Sequence, residues 1–397
     1  MAKIRVGIVG TGMAGAFHVE CLRRVYGVEV EIAGVTSLRA ESRQQFGASR
    51  DIPVYDGIEA MLDHIDLLDI CSPPSVHKEG MLLAAAAGKH IIVEKPLTGY
   101  FGEPGDEGFH GNTAPKSPML EKVMATLQEI QAAAKPGICI GYAENFVYGP
   151  AIQKERLALE KSGGQILRML GEESHNGSHS PVYGIWKFGG GGSLIGKGCH
   201  PLTALLYLKR CEGFNRNGKP IRPKTVTART HELTRQPAFE DRKFIRSEYT
   251  DIEDCGWMHV EFEDGTVGDV VTSEVVLGGI YDYVEVFANN HRARCRLSPT
   301  NLVDLYAPSG QEMDDMYIME KLSSREGWSN AAPDENWTMG YQNEIQDFLE
   351  CAVSGNRPQS DLDLAIDTTA TIYAAYLSAE RKGAEVEIPL LAESPMA

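Results

Sequence analysis

Ile4-Arg5-Val6-Gly7-Ile8-Val9-Gly10-Thr11-Gly12-Met13-Ala14-Gly15 opens the chain and decides its fold. The apolar run at 3–9 predicts a strand, and the residues from Ala14 to Tyr26 predict a helix. A G-x-G-x-x-G turn joins them, and each glycine has its own reason. Gly10 makes the tight turn, Gly12 lets backbone approach a pyrophosphate, and Gly15 lets the helix pack closely on the strand. The helix N-terminus then offers free N–H groups and a favourable dipole to phosphate, with Met13 and Ala14 at that end. A dinucleotide is the expected ligand.

Outward from that turn, the β-α pattern continues. Strands are predicted at 3–9, 28–35, 66–71, 89–93 and 137–141, with helices at 14–26, 40–47, 57–64, 76–87 and 119–134. Alternation of this kind implies a parallel sheet with right-handed crossovers. Gly99 to Pro118 breaks it with a Gly- and Pro-rich stretch too long for an ordinary connection. Lying beyond a strand's carboxyl end, where open α/β sheets bind ligands, it reads as an active-site flap.

After about residue 150 the pattern changes. A helix at 150–161 precedes strand-like runs at 165–175, 224–232, 256–263, 266–276, 281–288 and 291–297. Helices return at 200–210, 337–354 and 362–382. Strands in close succession imply a mostly antiparallel sheet. The expected architecture is α/β: a dinucleotide-binding domain over 1–148, then an α+β domain over 149–397 for substrate and oligomerisation.

Composition narrows the function. The formal charge is −17, which repels nucleic acid and anionic membrane and favours a small-molecule partner. No apolar run is long enough to span a bilayer, and no apolar signal core precedes the first strand, so a cytoplasmic protein is expected. Eight scattered cysteines without a CxxC pair read as buried free thiols.

Four further blocks carry a resemblance. They are Ile70-Cys71-Ser72-Pro73-Pro74-Ser75-Val76-His77, Gly88 to Leu97 with its Glu94-Lys95-Pro96 tripeptide, Gly141 to Tyr148, and Gly190 to Pro201. Tyr341, Glu344, Phe348 and Ser378-Ala379-Glu380-Arg381 extend it to the C-terminal helices. With the glycine turn, the chain resembles the glucose–fructose oxidoreductase / inositol dehydrogenase (Gfo/Idh/MocA) family. That resemblance implies a Rossmann domain, a C-terminal α/β domain whose open sheet serves a homo-oligomer, and NAD(P)-dependent redox chemistry on a sugar, sugar derivative or polyol. It implies Lys95 as the active-site lysine and His200 as the proton carrier. Cofactor contacts are expected from Gly10, Gly12, Met13, Ala14, Gly15, Ser37, Arg39, Ser72, Pro73, His77, Glu94, Lys95, Glu144 and Asn145.

The residue types suit that chemistry. Hydride leaves a carbinol carbon only as the O–H proton leaves, so a base such as His200 must stand within hydrogen-bond reach. An adjacent ammonium stabilises the developing alkoxide. The family's pattern has an aspartate four residues before the histidine, where this chain has Gly196. Glu173 and His175 are the expected replacements, and His175 and His179 with Lys95 and His200 the expected substrate contacts. Lys197 suggests an anionic sugar, with a solvent-facing or cofactor-phosphate lysine as the alternative. Metal ligation by His175, His179 and His200 is not expected, because Asn176-Gly177-Ser178 and Pro181 oppose the helix such spacing needs.

The second predicted strand ends in Thr36-Ser37-Leu38-Arg39 without an acid. Ser37 and Arg39 would suit a 2′-phosphate, though a serine also serves the ribose of NAD, so NAD against NADP stays open. The primary reading is a dehydrogenase. The alternative is a glycoside-cleaving enzyme that oxidises, eliminates, hydrates and re-reduces. A non-catalytic dinucleotide sensor is the third reading.

Overall fold

The computed structural model describes residues 2–394 apart from 179, 181–182, 299–302, 315 and 323–324. Its strands are β1 (Ala2–Val9), β2 (Val28–Thr36), β3 (Leu67–Ile70), β4 (His90–Glu94), β5 (Ile140–Ala143), β6 (Ile166–Ser174), β7 (Pro223–His231), β8 (Cys255–Phe262), β9 (Val267–Ser273), β10 (Tyr281–Ala288), β11 (Arg292–Arg296), β12 (Asp304–Ala307), β13 (Gly327–Asn330) and β14 (Val386–Glu387). The first sheet runs β2-β1-β3-β4-β5, all parallel. Val6, Ile8, Leu68, Ile70, Ile92 and Val93 are fully buried in it, as expected for central parallel strands covered on both faces.

The second sheet has seven strands in the order β11-β10-β6-β9-β8-β7-β14. Its pairings are antiparallel except β6 with β9. The expected fold class, a parallel sheet followed by a mostly antiparallel one, is therefore observed. The β12–β13 hairpin and β14 were not anticipated; both are too short for a periodic signal.

Two buried helices hold the sheets together. Helix 362–380 lies between them, packed on β7 and on helix 116–133. Asp361 caps it by accepting the Leu364 N–H at 2.9 Å. Its buried Thr368, Thr369 and Thr371 hydroxyls bond back to carbonyls four residues earlier, so no polar group is stranded there. Helix 199–217 packs against it and against β6, and carries His200 at its second position. Helix 341–354 returns to the first sheet and packs on helix 13–23. The chain beyond residue 149 thus completes the dinucleotide-binding half as well as forming its own sheet.

The 99–118 segment is a fixed strap rather than a flap over Lys95 and His200. Gly111 lies flat on the Trp186 ring and donates its N–H to Asp251 at 2.6 Å. Tyr100 N donates to the Tyr373 hydroxyl at 2.6 Å, and Trp186 Nε1 donates to the Tyr100 carbonyl at 3.0 Å. Lys116 closes the strap by donating to the carbonyls of Gly111, Asn112 and Ala114. The strap supports the Gly190–Gly192 turn from behind, where Gly99 and Gly190 pass with no room for a Cβ.

Candidate active site

The glycine turn has the geometry its sequence implies. Gly10 sits at φ +115°, and a Cβ there would lie 2.5 Å from the Cys71 carbonyl oxygen. A Cβ on Gly15 would lie 2.3 Å from the Gly10 oxygen, so helix and strand touch backbone to backbone. Gly12 is different, since nothing lies within 4 Å of its added Cβ. It caps helix 13–23 with no side-chain bond to the free N–H groups. That leaves an uncapped helix end beside open space, which fits a pyrophosphate.

Around this turn the expected cofactor contacts divide. Thr11 bonds Ser37 at 3.2 Å and Ser42 at 2.6 Å, fixing the adenosine side, while Arg39 is exposed. Pro73 is exposed, and the Ser72 hydroxyl has no hydrogen-bond partner among the described residues, leaving both available to a ligand. His77 is buried, with its ring nitrogens 3.0 Å from the Pro96 carbonyl and 2.8 Å from the Ser72 carbonyl. It ties the Ser72 and Pro96 loops together. Asn145 spends its side-chain N–H on the Met339 carbonyl at 2.8 Å. Glu94 turns inward, where it receives the Lys95 N–H at 2.9 Å and faces His18 Nε2 at 3.3 Å.

His18 and Asp69 were not anticipated. His18 Nδ1 lies 2.9 Å from Asp69, so a buried Asp69–His18–Glu94 chain runs beneath the glycine turn to the Lys95 backbone. Burial opposes charge on His18, but Asp69 and Cys71 outweigh it and hold its pKa well above the usual value. The His18 and Glu94 side chains are 76 residues apart in sequence, so spacing gives no signal.

Lys95 and His200 come together at the carboxyl end of the first sheet. The Lys95 peptide to Pro96 is cis, and Lys95 Nζ donates to the Gly196 carbonyl at 2.9 Å. Burial works against its charge, while Cys199, Glu173, Glu94 and Glu144 carry its pKa above the ordinary lysine value. It is a firm cation. His200 is buried and stacked on Phe146, ring centroids 5.1 Å apart. Its Nδ1 is 2.5 Å from Glu144 Oε1, and its Nε2 is 3.7 Å from Glu173 Oε2.

That arrangement supplies the missing carboxylate twice. Glu144, expected among the cofactor contacts, pairs with the imidazole through Oε1. Glu173 also comes within 3.7 Å of His200. Burial raises its pKa against the pull of His200, Lys95 and Lys197, and its Oε2 has no hydrogen bond among the described residues. Next to it across the sheet, Asp282 is pushed up to about 7 by burial, opposed by the Ser298 hydroxyl and N–H. Asp282 had no sequence signal. His175 accepts the Gly177 N–H at 3.0 Å through Nδ1, holding the turn after β6. His179 lies outside the described residues.

Lys197 corrects the sequence reading most sharply. It is 2% exposed and ion-paired with Glu274, with Nζ 5.0 Å from the Tyr183 ring centre. Its charge is already matched, so neither a solvent-facing lysine nor a free cation for an anionic sugar describes it. Glu274 follows β9, 77 residues away, which is why sequence could not reveal the pair.

Glycine builds this corner. Gly191 has φ +154°, and a Cβ on Gly192 would lie 2.1 Å from the Glu253 carbonyl oxygen. The turn presses against Glu253, which accepts the Leu194 N–H at 2.8 Å and so starts the segment leading to Gly196 and His200. A cavity of about 540 Å³ lies behind, lined by Lys116, Trp186, His231, Arg235, Glu253 and other residues. It includes neither Lys95 nor His200, so it is not where the chemistry would occur.

Two buried groups hold metal-ligand atom types within 4.8 Å, namely His18, Asp69 and Cys71, and Glu144, Cys199 and His200. In the second, the Lys95 ammonium beside Cys199 opposes a dication. The eight cysteines are unpaired.

Residues 4–103 match the family described as oxidoreductase, NAD-binding Rossmann fold (GFO_IDH_MocA). That match covers about the first quarter of the chain. Residues 4–103 are thus similar to an NAD-binding Rossmann fold. UDP-N-acetylglucosamine 3-dehydrogenase of Acidithiobacillus ferrooxidans is 31% identical over 98 residues, covering 25% of this chain and 30% of that protein. Inositol 2-dehydrogenase of Cereibacter sphaeroides is 31% identical over 96 residues, 24% of this chain and 28% of the relative. The chain thus matches under a third of the length of these relatives.

Solved structures cover far more. GenD2 from gentamicin A biosynthesis, in complex with NAD, superposes with TM-score 0.76 at 21% identity, covering 98% of this chain and 97% of that one. Scyllo-inositol dehydrogenase from Lactobacillus casei, with NAD(H) and scyllo-inositol, gives 0.68 at 15% identity over 97% and 99%. Among the described residues no helix is long and apolar enough to cross a membrane.

Proposed function

We propose that this protein is a Gfo/Idh/MocA oxidoreductase that oxidises or reduces one secondary hydroxyl of a sugar, sugar derivative or polyol. The observation that carries the reading is the meeting of the Lys95 ammonium with a His200 imidazole set between Glu144 and Glu173. Relatives named as dehydrogenases of UDP-N-acetylglucosamine and inositol support the substrate class.

When bound, the dinucleotide would supply the hydride acceptor or donor, with its pyrophosphate held at Gly10, Gly12 and the N–H groups of Met13, Ala14 and Gly15. Everything else falls to the chain's own side chains. Glu144 fixes the ring orientation of His200 and favours the imidazolium formed when Nε2 takes the hydroxyl proton. Lys95 stabilises the oxyanion that develops as the proton leaves. Glu173, facing Nε2, stands where that proton would pass onward.

The same carboxyl also favours the second reading. Glycoside cleavage through a transient ketone needs a further acid or base for the elimination, and Glu173 has a raised pKa and an oxygen without a hydrogen bond among the described residues. The partner in solution is a second copy of the chain, since Trp257, Val271, Leu167 and Tyr281 stand exposed on the second sheet.

The test is absorbance at 340 nm with NAD or NADP against neutral and acidic sugars, polyols and aryl glycosides. Net reduced cofactor supports the dehydrogenase. Aglycone release that needs NAD but accumulates no NADH supports the cleaving enzyme. Neither outcome on any compound would overturn the sugar reading.

A further inference from the structure

Tyr183 lies in the turn-rich segment between β6 and the glycine turn, and no motif points to it. A Cβ built on Gly196 would fall 1.4 Å from the Tyr183 hydroxyl oxygen and 2.4 Å from the ring carbon bearing it. The phenol therefore fills the place that a side chain at 196 would occupy, on the residue whose carbonyl receives Lys95. Its hydroxyl is screened from solvent and has no hydrogen-bond partner among the described residues. A buried hydroxyl left so carries an uncompensated desolvation penalty, which a ligand oxygen would remove.

The segment is held there by other groups. Arg246 donates to the carbonyls of Ser178 and Ser180 at 2.6 and 2.9 Å and to the carbonyl of Tyr183 itself. Lys197 lies over the ring and is anchored by Glu274. Backbone and ring are thus fixed without the hydroxyl, which leaves the hydroxyl free for another task.

We propose that the Tyr183 O–H is a substrate-contacting donor that reads an uncharged oxygen of the substrate beside the reacting carbon. This rests on the oxidoreductase reading of the Lys95–His200 site and adds its specificity residue. Burial, with Glu274 and Cys199 nearby, holds the Tyr183 pKa well above the usual value, so the phenol stays protonated and donates. It is not the base. With Lys197 matched by Glu274, the donor favours a hydroxyl or carbonyl oxygen over a carboxylate, so neutral sugars and polyols should outperform acidic ones.

The test is Tyr183→Phe, which keeps the ring. It is assayed beside the wild type and Lys95→Ala with NAD(P) on a neutral sugar or polyol and its series of single-deoxy analogues. The variant should bind cofactor normally and lose about tenfold or more in kcat/KM on the parent compound. On one deoxy analogue, the one lacking the contacted oxygen, wild type and variant should agree within about threefold. Equal kcat/KM on the parent, or a uniform loss across the whole deoxy series, overturns the proposal. A wild type inactive on every compound overturns both this proposal and the site reading. A wild type whose activity Lys95→Ala abolishes and Tyr183→Phe leaves intact overturns Tyr183 alone.

Discussion

The glycine turn and the proton-handling cluster, linked through the Asp69–His18–Glu94 chain, were built in opposite ways. The turn is written in consecutive residues, Gly10 to Gly15, and its work is done by backbone. The cluster is gathered from five distant segments: Lys95 after β4, Glu144 after β5, Glu173 on β6, His200 in its helix and Glu274 beyond β9. One works by leaving space empty, the other by balancing charges removed from water. An open turn can be recognised from its own residues. A buried charge means nothing until its partner is known.

The largest difference should appear on removing Lys95. Lys95→Ala is expected to cut kcat on the order of 10²–10⁴-fold, while NAD(P) affinity measured by fluorescence titration stays within a few-fold. Normal turnover would take Lys95 out of the chemistry.

Next is the buried ion pair. Lys197→Met leaves the Glu274 carboxylate buried without its cation, which should cost about 3–5 kcal/mol in denaturant unfolding. A stable variant that merely loses activity on acidic sugars would restore the free-cation reading of Lys197.

The two glycines at the turn should separate cleanly. Gly15→Ala puts a methyl 2.3 Å from the Gly10 oxygen and should destabilise the domain by about 1–3 kcal/mol. Gly12→Val meets no protein atom within 4 Å of its Cβ, so stability should hold while dinucleotide binding weakens at least about tenfold. The reverse pattern would misplace the ligand.

The smallest effect concerns pH. Asp282 is pushed up to about 7 from 3.8, so the folded protein holds this proton more tightly than the unfolded chain. Its contribution is complete below 3.8 and is lost as pH rises through about 7. Asp282→Asn keeps an acceptor for the Ser298 N–H and should flatten the fall in thermal midpoint between pH 4 and 8. An unchanged slope would mean that Asp282 ionises freely in the folded state.

What was legible follows the same division. Alternating apolar runs and helices gave both sheets, and the runs at 166–174 and 281–288 pair across the second sheet much as their patterns suggest. Glu173 was legible as a candidate because it lies upstream of the Gly190–Pro201 block on a strand able to line the same cleft. Glu144 was visible as a residue of its motif but not as the partner of His200, 56 positions away. Asp69–His18, Lys197–Glu274 and Tyr183–Gly196 left no trace in spacing, because each is fixed by how helices and loops pack over the sheets. The 99–118 strap was legible as irregular chain but not as anchored chain, since Trp186 and Asp251 hold it from another part of the fold.

Glu144 tests the account most directly, because its residue type suits either half of the comparison. NAD(P) affinity and turnover should be measured together for Glu144→Gln. The account predicts a dissociation constant within about threefold of wild type and turnover lower by on the order of 10–10³-fold, since the orienting charge on His200 is gone. Weakened cofactor binding with turnover preserved at saturation would return Glu144 to the dinucleotide site and contradict the assembled cluster.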